Sequence, residues 1–283
     1  MKTGKSVYEI VTERVVEMLD KGVVPWHKTW TSTTELPKNF KSGKPYRGIN
    51  VWLLLLCGYN SPYWLSFKQV ESKGGTVCKG EKGSLVVYWN WHESVDEKTG
   101  KIQKIPFLRY YTVWNETQID GIEFPAKDAR NNNPIEDAEK VVQGYSGKPE
   151  VTYGFRRASY SPLADQVSMP NMGDFNKSND FYATLFHELV HSTGHSKRLG
   201  RMDVTEPSMF GSPSYAKEEL IAEMGAAFLC ATTGIDSVIE NQAAYIKEWK
   251  SRLEDNPKLI VMASASAQKA TDHILGKILV IEN

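Results

Sequence analysis

The chain has 283 residues, 34 basic and 34 acidic side chains, and three cysteines. Zero net charge removes any bulk preference for polyanions, and the spacing of Cys57, Cys78 and Cys230 excludes a disulfide framework and a Cys-x-x-Cys zinc site. The longest apolar run, Val51 to Cys57, is far too short to span a bilayer, and the opening MKTGKSVYEI lacks the apolar segment of a secretory leader, so no membrane association and a reducing cytoplasm are expected.

The length accommodates two domains with proper cores. At the start, Ser6 and Glu9 form a capping box that opens an amphipathic helix. Val7, Ile10, Val11, Val15 and Met18 face inward, and Gly22 is its stop. A loop punctuated by Pro and Gly follows from Pro25 to Gly48. Asn50 to Leu56 and Phe67 to Ser72 read as short helices. Thr76 to Cys78, Ser84 to Trp91 and Ile102 to Trp114 read as strands, the last two joined by a charged turn at Glu93 to Gly100.

Charge divides the chain. Residues 1–125 hold 17 Lys and Arg against 13 Asp and Glu, a net +4, and residues 126–283 hold 17 against 21, a net −4. Between residues 38 and 82 stand eight basic side chains and only Glu71 and Glu81. Seven of the eight Trp also lie in the first half. Basic residues interleaved with aromatics suit single-stranded nucleic acid, where cations neutralise phosphates and rings stack on bases. A Trp-rich core under solvated lysines fits the same composition. The strong break at Asn131–Pro134 places a boundary nearby, giving domains 1–128 and 129–283.

In the second half, Asn133 caps a helix from Pro134 to Val142, with Pro at its first position. Val151 to Phe155, Ala158 to Tyr160 and Gln166 to Met169 read as short strands. A buried helix then starts at Asp180, capped by Asn179 or Ser178 and stopped by Gly194. Residues 214–231, 241–254 and 265–276 complete the helices. Asp272 and His273 in the last are read as structural.

The helix from Asp180 carries His187-Glu188-Leu189-Val190-His191, an H-E-x-x-H pattern. Positions i and i+4 lie about 40° apart and roughly 6 Å along the axis, so two imidazoles can hold one ion. Glu188 then stands beside the ion's open side as a general base for a bound water. This is the signature of a zinc metallopeptidase of the zincin class. Two ordinary buried histidines would leave titratable groups unpaired among Phe, Leu and Val, which is costly.

A third ligand is needed. His195 follows the helix stop, and His273 is remote. Glu219 and Glu223 share a face of the next helix with Ala222, Ala226 and Cys230, whose small side chains allow close approach. Carboxylates on such a face require a cation or donors. Glu219 is favoured as the ligand and Glu223 as the residue behind a ligand histidine, with the reverse order open and His195 an alternative. Glu218 is read as a solvated acidic residue. Zn2+ is the expected ion, with Mn2+ or Co2+ compatible with the same ligands.

Many short motifs run in one order along the chain. In the first half they are Lys44–Asn50, Tyr63–Gln69, Gly74-Gly75 followed by Lys79–Gly83, and Tyr111–Asn115 with Gln118. In the second they are Ala158–Ser161 with Asp165, Met169-Pro170, Leu185–His195, Arg198-Leu199 with Arg201, and Tyr215–Glu223. In these the chain resembles the ArdC-type antirestriction proteins of mobile elements, whose N-terminal region is shared with some plasmid primases. The resemblance implies an α+β protein: an N-terminal mixed α/β domain that binds single-stranded DNA, then a zincin-like metallopeptidase domain. It implies a role in protecting mobile-element DNA entering a new host, with an unidentified protein as substrate or partner. It also points to Lys44, Tyr46, Arg47, Trp64, Lys68, Lys79 and Lys82 as the residues facing the strand.

The chemistry expected is metal-assisted amide hydrolysis, with His187, His191 and Glu219 as ligands and Glu188 as base. Tyr160 or Tyr215 would stabilise the oxyanion. A non-catalytic single-stranded DNA-binding protein with a structural metal is the alternative, and a metal-dependent nuclease fits the His-rich ligand set less well.

Overall fold

The computed structural model describes residues 5–22, 24, 36–95, 102–125, 133–201, 213–236 and 243–277. The expected boundary at 128/129 and the expected loop between residues 25 and 35 lie outside these residues. Helix α1 (Val7–Asp20) opens on the expected capping box, with the Ser6 amide donating to Glu9 at 2.6 Å and the Glu9 amide to Ser6 Oγ at 3.3 Å. Its buried side is Val11, Thr12, Val15 and Leu19, so the inward stripe is rotated slightly from the expected one and Met18 is only half-buried.

A four-stranded sheet follows in the order β1-β2-β5-β4. β1 (Lys38–Asn39) runs parallel to β2 (Tyr63–Ser66), and β2 pairs antiparallel with β5 (Ile102–Asn115). The outer strand β4 (Ser84–Val95) pairs with β5 from Ser84↔Val113 to Val95↔Ile102, longer than the sequence signal indicates. Helix α2 (Ile49–Leu55) lies against β4. The Asn50 amide both donates to Val87 O and accepts from Val87 N, each at 2.7 Å, which satisfies an edge strand that would otherwise stay open. Helix α3 (Phe67–Ser72) and the pair β3 (Thr76–Val77) with β6 (Ile119–Asp120) complete this half.

The second half begins with α4 (Pro134–Gly144), whose Asn133 cap accepts from Ile135 N at 3.2 Å. Three strands, β7 (Glu150–Tyr153), β8 (Ser159–Ser161) and β9 (Gln166–Met169), form a sheet in the order β7-β9-β8. Four helices follow: α5 (Ser178–Ser192), α6 (Pro213–Thr233), α7 (Ala243–Asp255) and α8 (Leu259–Ile274). α8 begins six residues before the expected 265. The apolar stretch Leu259–Ala263 extends it, and Pro257 stands just ahead of its start.

The largest apolar cluster runs through both halves. Val11 and Val15 of α1 and Ile49 and Trp52 of α2 join Phe228 and Leu229 of α6, Leu253 of α7 and Ile260 and Ala267 of α8. Trp52, 1% exposed, stacks on Phe228 with ring centroids 4.6 Å apart. The apolar sides of α1 and α2 are thus covered in part by helices of the second half. Polar ties reinforce the seam. Arg47 pairs with the buried Asp272, Gly48 N donates to Gln268 Oε1 at 3.1 Å, and Thr12 Oγ1 donates to Pro257 O at 2.8 Å.

A shared core has a thermodynamic consequence. Urea denaturation should show one cooperative transition, and Trp52→Ala should lower stability by about 3–5 kcal/mol while keeping that single transition. Two separate transitions in the parent protein would contradict it.

Candidate metal centre

Helix α5 is apolar on most of its circumference, with Phe181, Tyr182, Leu185, Phe186, Leu189 and Val190 buried. Its cap position is Lys177, and neither Ser178 nor Asn179 caps it through a side chain. Asn179 instead donates to Asp236 O at 3.0 Å, tying the start of α5 to the chain leaving α6. At the other end the helix stops at Ser192, ahead of Gly194. Its last carbonyls are satisfied by arginines, with Arg198 Nε donating to Ser192 O at 2.6 Å and an Arg201 guanidinium nitrogen to Val190 O at 2.8 Å.

His187 and His191 face α6. Their Nε2 atoms lie 3.0 Å apart. Glu219 of α6 stands opposite, with Oε2 3.6 Å from His187 Nε2 and Oε1 3.5 Å from His191 Nε2. One ligand atom from each of His187, His191 and Glu219 falls within 4.8 Å of the others, which is the spacing of donors around one ion. The outward nitrogens meet other carboxylates. His191 Nδ1 is 3.6 Å from Glu218 Oε1, and His187 Nδ1 is 4.0 Å from Glu223 Oε1. Each imidazole thus turns Nε2 toward a common point, and Glu218 stands behind His191 while Glu223 lies beyond hydrogen-bond reach of His187. Glu188, 8% exposed, is buried beside them.

Glu218 departs from expectation. It is half-buried rather than solvated, and Arg201 grips it in a fork, at 3.1 Å from Nε and 2.7 Å from the terminal nitrogen. Burial pushes its carboxyl up, but the His191 hydrogen bond and the Arg201 charge outweigh burial and hold it below the usual range. Glu219 is likewise held down against burial by His187, His191 and a hydrogen bond from Tyr215. Burial pulls His187 down, yet Glu219, Glu223 and Glu188 together push it up to about 9. Two imidazoles among four carboxylates, with His187 Nε2, His191 Nε2 and a Glu219 oxygen converging, form a pocket that calls for a cation. These donors fit a divalent metal.

Sequence reading missed Glu218 and Arg201. Arg201 stands well past the end of α5 and Glu218 on the next helix, so spacing alone reveals neither contact. His195 does not join the cluster, and its Nδ1 accepts from Lys197 N at 3.1 Å. Tyr160 is also engaged elsewhere. Its hydroxyl donates to Asp165 at 2.9 Å and accepts from Arg198 at 3.1 Å, so it is not free to meet an oxyanion. Tyr215 is likewise engaged, since its hydroxyl donates to Glu219.

α5 and α6 must approach closely to bring these groups together. A Cβ on Gly225 would lie 2.8 Å from both Cγ atoms of Val190. Ala222 and Ala226, both fully buried, extend the narrow contact.

Comparison with known proteins agrees with both halves. Residues 5–114 match the family model of the N-terminal domain of anti-restriction factor ArdC, and residues 136–266 match that of a zincin-like metallopeptidase domain. The metal-free crystal structure of the antirestriction protein ArdC from plasmid R388 is 36% identical, with a TM-score of 0.80 over 96% of this chain and 98% of that one. The chain belongs to the ArdC antirestriction family. The Mn(II)-bound structure of the same R388 protein matches at 35% identity and a TM-score of 0.78, covering 98% of this chain and all of that one. Two Escherichia coli proteins named DNA primase TraC are 35% and 36% identical over 97% and 96% of this chain. The chain spans only 20% and 27% of their lengths. The uncharacterized protein y4eC of Sinorhizobium fredii is 31% identical over 96% of this chain and 92% of its own.

In the half that matches the ArdC N-terminal domain, the expected strand-facing residues separate into two groups. Lys44, Lys68, Lys79 and Lys82 are exposed. Trp64 is 1% exposed and Tyr46 9%, packed with Leu54, Val86 and Val113. Both therefore serve the core, because β2 is an inner strand whose face is covered by the Lys44–Asn50 segment. Arg47 is exposed, but its guanidinium is held by Asp272. No helix among the described residues is long and apolar enough to cross a membrane.

The carboxylates behind the histidines should matter measurably. Glu218→Gln should weaken metal binding about 10–100-fold in a competition titration, with folding retained. An unchanged affinity would show that Glu218 does not position His191.

Proposed function

We propose that this ArdC-family protein binds single-stranded DNA with its N-terminal half and carries a metal-dependent peptidase site on α5 and α6, protecting mobile-element DNA in the cytoplasm of a new host. The observation that carries the catalytic part is the convergence of His187, His191 and Glu219 within 4.8 Å, with Glu188 buried next to His187. Zn2+ is the ion we assign to these ligands. The Mn(II)-bound R388 protein supports a divalent ion at this kind of site.

When bound, the ion would supply the Lewis acidity that lowers the pKa of a water toward about 7 and polarises a carbonyl. The protein's own residues do the rest. Glu188 takes the proton from the water and returns it to the departing amine. Glu218, held by Arg201, keeps His191 oriented, and Glu223 adds negative charge beside His187. Tyr215 donates to Glu219 and so steadies that carboxylate.

For DNA, the exposed Lys44, Lys68, Lys79 and Lys82 supply phosphate contacts, supported by the basic excess of residues 38–82.

Glu188→Gln separates chemistry from binding. Elemental analysis should show the same metal content as the parent protein, while turnover on an unfolded protein such as casein falls about 10²–10⁴-fold. Turnover surviving the substitution would remove Glu188 from its role. A parent protein that holds metal and DNA but cleaves nothing would leave the non-catalytic reading.

A further inference from the structure

Large aromatic side chains exposed to solvent cluster in the β4–β5 hairpin, where none was expected to face the strand. Tyr88 is 39% exposed, Trp89 43%, Tyr110 51% and Tyr111 38%. The register sorts them by face. Tyr88 is paired with Arg109 and Val86 with Tyr111, so Tyr88, Arg109 and Tyr111 lie on one side, with Phe107 two residues beyond Arg109. Trp89 and Tyr110 point to the other side, where Trp89 meets Tyr8 of α1 with centroids 6.2 Å apart.

The first face is organised. Tyr88 and Tyr111 form an edge-to-face pair with centroids 5.5 Å apart and planes at 62°. Arg109 is exposed beside them and its guanidinium lies 5.0 Å from the Phe107 centroid. Farther along the same face, Val86 and Val113 are fully buried under Tyr46, Leu54 and Trp64. The rings at the open end are thus seated on a rigid, packed base. Among the described residues, this face carries no acidic side chain.

We propose that Tyr88, Arg109 and Tyr111 form the base-stacking surface for single-stranded DNA. This rests on the DNA-binding reading above and replaces the buried Trp64 and Tyr46 in it. Flat rings held at a fixed angle lose little entropy when a base stacks on them, and every base offers a π-face, so the surface is indifferent to sequence. Arg109 supplies the adjacent positive charge, complementary to phosphate, and stacks as well. A duplex hides its base faces and gains nothing from such rings.

The test is fluorescence anisotropy of the full-length protein with a labelled oligothymidylate across a salt series. Tyr88→Ala with Tyr111→Ala should weaken binding about 10–100-fold and leave the slope of log affinity against log salt unchanged. Tyr88→Phe with Tyr111→Phe should bind as the parent does. Arg109→Ala should lower the magnitude of that slope by about 0.7. Tyr153→Ala, an exposed ring in the other half, should have no effect. Metal content and far-UV circular dichroism should match the parent for every variant. A parent protein that does not bind the strand overturns the DNA reading itself. A parent that binds, with the double alanine variant binding equally well, overturns this surface alone. Phenylalanine variants as weak as the alanine ones would replace stacking with a hydroxyl contact and also overturn it.

Discussion

Two helices touching at a glycine set everything else in this protein. Val190 of α5 occupies the space that a side chain at position 225 of α6 would need. That close approach lets Glu219 reach both imidazoles and lets Glu218 and Glu223 stand behind them. Buried carboxylates and imidazoles are expensive apart, and each needs the other's charge. Arg201 completes the balance on one side by holding Glu218 while also satisfying the end of α5. The same arginine therefore finishes a helix and orients a ligand.

The N-terminal half is attached to this arrangement rather than merely preceding it. The segment Lys44–Asn50 does three jobs in seven residues. Arg47 pairs with Asp272 and Gly48 N with Gln268, both on α8, and Asn50 closes the edge of β4. α8 in turn packs on α6, where Thr271 Oγ1 donates to the carbonyl of Gly225 at 3.4 Å. A continuous set of contacts thus links the sheet of the first half to the glycine where α5 and α6 meet.

The sequence revealed those features whose cause is local. Ser6 and Glu9, Asn133 and Pro134, and the i, i+4 histidines each act within one or two turns, so spacing alone identifies them. Asp272 is buried against Arg47, a partner more than two hundred positions away that spacing does not reveal. Features caused by distant partners were illegible. Glu218 resembled a surface acid because its partners, His191 and Arg201, come from other elements. Trp64 resembled a stacking residue because the side chains that bury it, Tyr46, Leu54, Val86 and Val113, come from separate parts of the chain. The start of α8 carries no capping signal, because Lys258 at its cap position makes no side-chain cap bond.

Anomalous diffraction from crystals of the full-length protein soaked in Zn2+ tests the central claim most directly. The account predicts one anomalous peak at about 2.0–2.2 Å from His187 Nε2, His191 Nε2 and a Glu219 oxygen, with Glu218 and Glu223 outside the coordination shell. A peak bound elsewhere, or well-ordered side chains in these positions with no peak between them, would contradict it.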